Sequence, residues 1–123
     1  MSDEEELPCP ACGFLTLEGA YGSYEICGVC GWEDDQVQLA NPACGGGANA
    51  ESLIEAQAVA VARHPVTVQV AEGARRDPRW RPLDDGEKHH AAAERGEKYW
   101  KNSGVVRLDE CYWMKGVSGR SAG

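Results

Sequence analysis

The stretches CPACG at residues 9–13 and CGVCG at residues 27–31 decide how this chain folds, because each places two cysteines three positions apart. Fourteen residues lie between the second cysteine of the first pair and the first cysteine of the second. Two CxxC turns at this distance are typical of a four-thiolate zinc site with no open coordination position. We therefore predict one structural zinc ion per chain, with four ligands: Cys9, Cys12, Cys27 and Cys30.

Three other uses of these cysteines stay open. The CPxCG turn resembles the knuckles of rubredoxins, which hold iron in the same tetrahedron, although the short separation favours zinc. A redox pair needs a helix that starts at the CxxC, whereas a glycine follows each turn here, at Gly13 and Gly31. Glycine suits a tight knuckle that directs backbone N–H groups at sulfur. The two pairs could also be unrelated.

Two further cysteines lie outside the knuckles. Cys44 stands beside a run of three glycines, so we expect it to be exposed. Cys111 lies among polar and aromatic residues, and we expect a packed thiol there. A disulfide between them is possible but has no support in the sequence.

The predicted fold class is α+β: a zinc-ribbon hairpin with two knuckles, packed on one or two helices and a small antiparallel sheet. Residues 1–7 predict an acidic flexible tail and residues 8–35 the zinc ribbon. Residues 36–116 predict the remainder of the same single domain, and residues 117–123 a second flexible tail. With few large aliphatic residues, a core of this size benefits from a metal cross-link.

Periodicity and turn residues predict the individual elements. The ribbon strands are expected at residues 14–17 and 21–26, with a turn at 18–20 and a loop at 33–47. The remaining expectations, in chain order, are a helix at 50–63, a strand at 66–70, a basic loop at 73–82, a helix at 84–100 and a strand at 105–114. The first helix has Asn49 or Ser52 as candidate cap, and ends at His64-Pro65. Its predicted packing stripe comprises Leu53, Ile54, Gln57, Ala58 and Val61.

The charge of the chain is unevenly distributed. Residues 1–62 contain eleven acidic and no basic residues, whereas residues 63–123 contain nine acidic and twelve basic residues. The halves thus carry −11 and +3, which gives the net charge of −8. An acidic surface repels phosphate and speeds the association of basic partners. We therefore expect a basic protein partner and consider nucleic acid an unfavourable one.

Other polar clusters have both functional and structural interpretations. Glu33, Asp34 and Asp35 follow the second knuckle and could form a solvated turn, an acidic contact surface together with Glu51, an acid–base pair or a magnesium site. The basic cluster comprises Arg75, Arg76, Arg79, Trp80 and Arg81. It could contact nucleic acid by charge and stacking, but we favour an internal role in which it pairs with the acidic half.

The histidines predict no catalytic centre. His64 precedes a proline and is expected to end a helix, while His89 and His90 are adjacent and would point about 100° apart on a helix. The sequence contains no phosphate-binding loop or dinucleotide fingerprint. It also lacks a basic n-region with an apolar run and any apolar stretch of membrane-spanning length, so we expect a cytoplasmic protein without membrane association.

Taken in order, these motifs resemble the bacterial CPCC cysteine-rich domain family. The resemblance rests on residues 9–13 and 24–35, then Gly46 to Asn49, and the segment from Ser52 to Ala56, and covers residues 9 to about 60. Three features depart from the family pattern: Ala11 replaces its third cysteine, Gly28 stands where proline is common, and Gln57-Ala58-Val59 lacks an expected Arg and Asn. Residues 63–123 resemble no family we can name.

The resemblance implies a zinc-binding protein, from a family whose function is not established. Small acidic proteins of this kind often serve as immunity proteins beside secreted toxins. The leading hypothesis is therefore a non-enzymatic zinc-ribbon module that neutralises a basic toxin domain. Two alternatives remain: a nucleic-acid-associated zinc ribbon that uses the loop from Arg75 to Arg81, and a metal-dependent enzyme that uses the acids near Trp32.

Overall fold

The computed structural model of the protein describes residues 6–94 and 111–113. Within them the chain forms two small antiparallel sheets and three helices, which confirms the α+β class. None of the described helices has the length and apolarity to cross a bilayer. The elements are β1 (Glu6–Pro8), β2 (Leu15–Glu18), α1 (Gln36–Ala40), α2 (Leu53–Arg63), β3 (Val70–Ala71), β4 (Ala74–Arg75) and α3 (Asp85–Glu94).

The first hairpin encloses a knuckle instead of lying between the two knuckles. Strand β2 forms where expected, but it pairs with β1, with Leu7 opposite Leu17 and a bulge before Pro8. The predicted strand at residues 21–26 is wrong, since that segment makes a single bridge from Ile26 to Glu33. The reason is local: Tyr24 has a φ of 64°, which extended strands do not contain.

The N-terminal tail is shorter than predicted. Glu6 and Leu7 belong to β1, and Leu7 is only 7% exposed because it packs in the core. The flexible tails predicted for residues 1–5 and 117–123 lie outside the described residues.

The predicted loop at residues 33–47 contains helix α1. Asp35 caps it, because one carboxylate oxygen accepts the N–H groups of Val37 and Gln38 at 2.8 and 3.2 Å. An acidic side chain at this position satisfies helix N–H groups that have no partner within the helix. The run Glu33-Asp34-Asp35 therefore supplies a helix cap, which its charge pattern alone did not reveal.

Helix α2 confirms the prediction for the middle of the chain. Ser52 and Glu55 form the reciprocal capping box, and the helix ends at Arg63 with His64 as its C-cap. Its buried residues are Leu53, Gln57 and Ala60, so the packing face is rotated from the predicted stripe. Ala58, which was placed on that stripe, is exposed.

The strand predicted at residues 66–70 is wrong, and β3 is confined to Val70–Ala71. It pairs with β4 through a tight turn at Glu72 and Gly73, both of which have positive φ values. A bridge between Phe14 and Arg76 joins this hairpin to the first one. The second sheet thus packs against the first knuckle.

The C-terminal predictions are tested only in part. Helix α3 begins as expected, since Asp84 and Glu87 exchange side-chain to backbone hydrogen bonds of 2.8 and 2.9 Å. Its predicted extension to residue 100 lies outside the described residues. The strand predicted at 105–114 is wrong where it can be compared, because Tyr112 and Trp113 are helical.

The core forms around the first knuckle. Its largest fully buried side chains include Trp32, Trp113, Phe14, Leu17 and Leu53. Side chains from α2 and from the second half satisfy the knuckle's carbonyl groups: Pro10 O accepts from Gln57 Nε2 at 2.9 Å and from Trp80 Nε1 at 3.2 Å, and Cys12 O accepts from Arg76 Nε at 2.9 Å. Buried carbonyls need such partners, so the second half of the chain completes the knuckle.

Gln38 organises the glycine-rich loop that follows α1. Its side-chain nitrogen donates to the carbonyls of Cys44, Asn49 and Glu51, at 3.0, 3.2 and 3.0 Å. Its side-chain oxygen accepts from both the backbone and the amide group of Asn49. The side chain is fully buried, so every one of these partners depends on it.

We expect Gln38→Leu to lower the free energy of unfolding by about 3 kcal/mol or more, because it leaves several buried polar groups without a partner. The exposed Gln69 is the matched control, and Gln69→Leu should stay within about 0.5 kcal/mol of the parent protein. Chemical denaturation followed by circular dichroism measures both. Equal stability of the two variants would contradict the role assigned to Gln38.

Candidate metal centre

The two knuckles repeat one backbone arrangement. In the first, Cys9 N–H donates to Phe14 O at 2.9 Å and Gly13 N–H donates to Cys9 O at 2.7 Å. In the second, Cys27 N–H donates to Trp32 O and Gly31 N–H donates to Cys27 O, both at 2.9 Å. Each knuckle therefore closes on a glycine and then on a buried aromatic residue.

Both knuckle glycines have a φ of 83°, a conformation that other residues adopt at a cost. Their surroundings differ. A Cβ atom on Gly13 would overlap the ring of Trp80, whereas one on Gly31 would meet nothing within 4 Å. Gly13 is therefore required both for its backbone conformation and for close packing, whereas Gly31 is required for its backbone conformation alone.

The four predicted ligands come together as expected. The sulfur atoms of Cys9, Cys12, Cys27 and Cys30 all lie within 4.8 Å of one another. Two separations are shorter: 3.6 Å between the sulfurs of Cys9 and Cys30, and 3.7 Å between those of Cys12 and Cys27. A tetrahedral ion with metal–sulfur bonds of about 2.3 Å places its sulfurs about 3.8 Å apart. The cluster therefore fits one tetrahedral metal ion.

The electrostatics of the cluster favour a bound cation. Burial, followed by the neighbouring thiols, raises the pKa of Cys9 well above its usual value. Hydrogen bonds shared with Cys27 and Cys30 raise the pKa of Cys12, while hydrogen bonds from Cys12 lower the pKa of Cys27. Four thiolates cannot coexist in such a space without a positive charge, and a divalent metal supplies it.

The chain also provides hydrogen bonds to the sulfur of Cys27. Thr16 Oγ1 donates to it at 3.1 Å and Val29 N–H donates at 3.3 Å. Such donors stabilise thiolate character and orient the ligand. Thr16 is in β2, so the first hairpin supports a ligand of the second knuckle.

The knuckles differ in exposure. Cys9 and Cys12 are completely buried beneath the second half of the chain. Cys30 is half-buried, and Gly28 and Gly31 beside it are exposed. The second knuckle is thus the outer side of the metal centre.

Cys44 is buried, at 7% exposure, which corrects the expectation of an exposed thiol. The loop that Gln38 organises folds over it. Cys111 packs in the core as predicted, and no disulfide joins these two cysteines.

Within residues 6–94 and 111–113, the four knuckle cysteines are the only group of three or more side chains that could hold a metal ion.

The acidic residues after the second knuckle have structural contacts. Asp34 is fully buried, and one of its oxygens accepts the backbone N–H groups of Gly22 and Ser23, both at 3.0 Å. Asp35 is 5% exposed and caps α1. Neither carboxylate is placed to contact a partner or to hold a solvent-accessible second metal. Of the four residues predicted to bind a partner, Glu33 is half-buried and Glu51 is exposed.

The basic cluster has an internal role. Arg76 is 5% exposed and donates to the carbonyls of Pro65 and His64, at 2.7 and 2.9 Å, as well as to that of Cys12. Its guanidinium also lies over the Phe14 ring, with 4.3 Å to the centroid. Burial lowers the pKa of Arg76 below its usual value. These contacts remove a central member from the nucleic-acid surface that the sequence had suggested.

The neighbouring arginines form ion pairs within the second half of the chain. Arg79 contacts Asp77 and Arg81 contacts Glu87, each at 2.7 Å. Both carboxylates belong to the basic half, so among the described residues these two ion pairs do not join the halves as the sequence had suggested. Arg75 is exposed, and Trp80 is buried against the first knuckle.

The histidines do not gather at a site. His64 ends α2 as expected and its ring packs edge-on against Phe14, with 5.8 Å between centroids. His89 and His90 are exposed residues of α3.

Sequence reasoning missed the importance of Asn49. Its side chain binds the backbone of Glu33 on both sides, accepting from the N–H at 2.8 Å and donating to the C=O at 2.9 Å. An amide group that pairs in this way substitutes for a neighbouring strand. The available signal was an asparagine two residues after a glycine run, a combination that is common in turns.

Comparison with known protein families agrees with the geometry. Residues 7–78 match the family described as cysteine-rich CPCC. The chain belongs to this family, and the match extends beyond the limit near residue 60 drawn from the motifs alone. No curated protein gives a significant match.

We expect Gly13→Ala to lower the free energy of unfolding by about 3 kcal/mol or more, since it adds overlap with Trp80 to the cost of a positive φ. Gly31→Ala, which adds only the conformational cost, should lose about 1–2 kcal/mol. Thermal denaturation of the metal-loaded proteins compares them. Equal losses would show that packing on Trp80 contributes nothing.

We expect the purified protein to contain one tetrahedral metal ion per chain and to lose its tertiary structure on treatment with EDTA. The apparent free energy of metal binding at such sites, about 10–16 kcal/mol, is as large as the whole stability of a small domain. Acid should have the same effect, because thiolate ligands take up protons as the pH falls.

Elemental analysis and near-ultraviolet circular dichroism provide the measurements. Cys12→Ser should lose metal, whereas the control Cys44→Ser should retain one equivalent. A fully folded protein after complete metal removal would contradict a structural role for the metal.

Proposed function

We propose that this protein is a zinc-binding, non-enzymatic protein-interaction module, and that it acts as an immunity protein for a basic toxin domain. A buried shell of four cysteines supports a structural zinc ion, because it leaves no coordination position for substrate. Iron fits the same tetrahedron, and absorption spectra of the purified protein distinguish the two metals.

One observation carries the proposal of a basic partner. Glu6 and Glu18 stand directly opposite each other in the β1–β2 hairpin, and the carboxylate of Glu25 accepts the N–H of Glu18 at 3.1 Å. We name these three residues the acidic edge. None of their carboxylates forms an ion pair with any other described residue. Like charges opposite one another destabilise a sheet, so a basic partner would relieve a cost that the free protein bears.

The location of the basic residues adds to this support. Arg76, Arg79 and Arg81 are engaged with carbonyl groups or carboxylates of their own half of the chain, apart from the contact of Arg76 with the knuckle. In the described part of the chain, no ion pair joins them to Glu6, Glu18 or Glu25, although Arg75 and Arg79 line the same surface cavity as Glu6. A surface of one sign accelerates the encounter with an oppositely charged protein and gives specificity.

The non-enzymatic part of the proposal has its own basis. Asp34 and Asp35, the carboxylates considered for acid–base chemistry or a second metal, accept backbone hydrogen bonds at a turn and a helix cap. The sequence assigned a partner-binding role to Asp34 and Asp35. In this proposal the acidic edge has that role instead, with Glu33 and Glu51 as further candidates. The compartment proposed is the cytoplasm of a bacterium.

The test begins with affinity purification of the zinc-loaded protein from its own organism, followed by binding measurements with the protein that is captured. We expect a partner with a basic surface. The double substitution Glu6→Lys and Glu18→Lys should weaken binding at least tenfold and reduce its dependence on salt. Expression of the partner alone should arrest bacterial growth, and co-expression of the parent protein should restore growth.

Glu72→Lys is the matched control, because Glu72 is exposed, lies in the turn of the other hairpin and pairs with Arg63 only at 4.0 Å. It should retain binding and protection. Glu51→Lys tests whether the acidic surface extends to α2. A partner without a basic surface, or full protection by the edge variant, would overturn the proposal.

A further inference from the structure

We propose that Ile26 and the preceding Glu25 form an open strand edge that binds an extended segment of the partner, in which apolar and basic residues alternate. This inference rests on the proposed function and adds to it the mode of recognition. It concerns the hairpin that surrounds the second knuckle, where Ile26 is bridged to Glu33.

The hydrogen bonds of this hairpin show which way Ile26 faces. Cys27 N–H donates to Trp32 O at 2.9 Å, and Asp34 N–H donates to Glu25 O at 3.0 Å. The bonds are thus made by the neighbours of the Ile26–Glu33 pair. In an antiparallel ladder, the residues of such a pair direct their own N–H and C=O groups outward. Among the described residues, Ile26 N–H and C=O have no hydrogen-bond partner.

The two outward edges of the hairpin differ in whether another residue covers their backbone groups. On one side, the amide of Asn49 binds both the N–H and the C=O of Glu33 and so covers that edge. On the other side, Ile26 has no corresponding cover. Proteins usually protect strand edges with lysine, proline or a covering element, and residues 1–62 contain no Lys or Arg at all. Within residues 6–94 and 111–113, one edge is therefore covered and the other is open.

The side chains along the open edge are suited to contact. Ile26 is 63% exposed and Tyr24 is 55% exposed, which makes them two of the few large hydrophobic side chains on the surface. Tyr24 also has a φ of 64°, a strained conformation that tends to occur at functional positions. Tyr24 lies at the end of the edge and not within it, because its own N–H donates to Asp34 O at 3.0 Å inside the hairpin. Ile26 is directly preceded by Glu25, a member of the acidic edge, so an acidic and an apolar residue alternate there.

This alternation defines the occupant. A strand added along Ile26 would place its successive side chains on opposite faces of the ribbon. An apolar residue opposite Ile26 and a lysine or arginine opposite Glu25 would both form favourable cross-strand pairs. An extended basic segment therefore fits the edge in hydrogen bonding, apolar contact and charge, as in other cases of strand addition.

The test uses the zinc-loaded, full-length protein and a synthetic heptapeptide of alternating valine and lysine. We expect binding with NMR shift changes centred on residues 24–26. Methylation of alternate peptide nitrogens removes the N–H donors along one side of the extended peptide. Of the two possible methylation patterns, the one that blocks the side facing Ile26 should weaken binding at least tenfold. The same peptide with glutamate in place of lysine should not bind.

Two substitutions separate the backbone from the side chain. Ile26→Pro removes the outward N–H and should weaken binding at least tenfold, whereas Ile26→Ala keeps it and should lose less. Val59→Ala, which removes another exposed apolar side chain on α2, is the control and should bind like the parent protein. Metal content and melting temperature verify that each variant is folded. If Ile26→Pro does not fold, the methylated peptides decide the question.

Absence of binding up to about 1 mM, equal binding of methylated and unmethylated peptides, or shift changes located elsewhere would each overturn the inference. Its failure is distinguishable from failure of the proposed function. If Ile26→Pro still protects against the toxin, the strand-edge inference is refuted and the immunity role stands. If the peptide binds at residues 24–26 but the protein gives no protection, the immunity role alone is refuted.

Discussion

The arrangement of the two knuckles centres on four cysteine sulfurs, three of them on buried residues, that lie close enough to share one metal ion. Cys9 and Cys12 are inaccessible to water, so in the absence of a metal ion their thiolate forms would have no compensating charge. A divalent ion bound there would convert this unfavourable arrangement into a cross-link between the two turns. The acidic edge, the open strand edge and helix α1 all lie along the chain between or just beside those turns, so a bound metal would also fix their geometry.

A second constraint concerns carbonyl groups. In the first knuckle, the carbonyls of Pro10 and Cys12 have no partner within the turn and accept hydrogen bonds from side chains in the core. Gln57, Trp80 and Arg76 supply the missing donors from segments 47 to 70 positions away. A buried arginine is costly, but here its donors meet several carbonyls and its charge lies over an aromatic ring. The basic half of the chain is thus part of the support of the metal centre.

The sequence predicted the features that depend on local chemistry. CxxC spacing defined the four metal ligands, Ser52 and Glu55 defined the start of α2, and Asp84 defined the start of α3. The predictions failed where non-local contacts decide. The hairpin partner of β2 comes from the segment before the first knuckle, because the left-handed Tyr24 interrupts the segment after it. Likewise, Asp34 and Asp35 have the pattern of a solvated charge run, and only the folded chain shows that their oxygens bind buried N–H groups. The packing partners of Arg76 could not be predicted either, since they lie on segments remote in sequence.

The position of Trp80 has a consequence for what counts as the folding unit. The family match ends at residue 78, yet this indole covers Gly13 and binds Pro10 just beyond that limit. Tyr112, whose hydroxyl accepts from Gln57 at 2.8 Å, adds a second contact from further along the chain. The shared motif is therefore smaller than the physical domain. In relatives with other C-terminal sequences, the same knuckle would need a different lid, so the segment beyond the motif is where members of this family can diverge while keeping one metal centre.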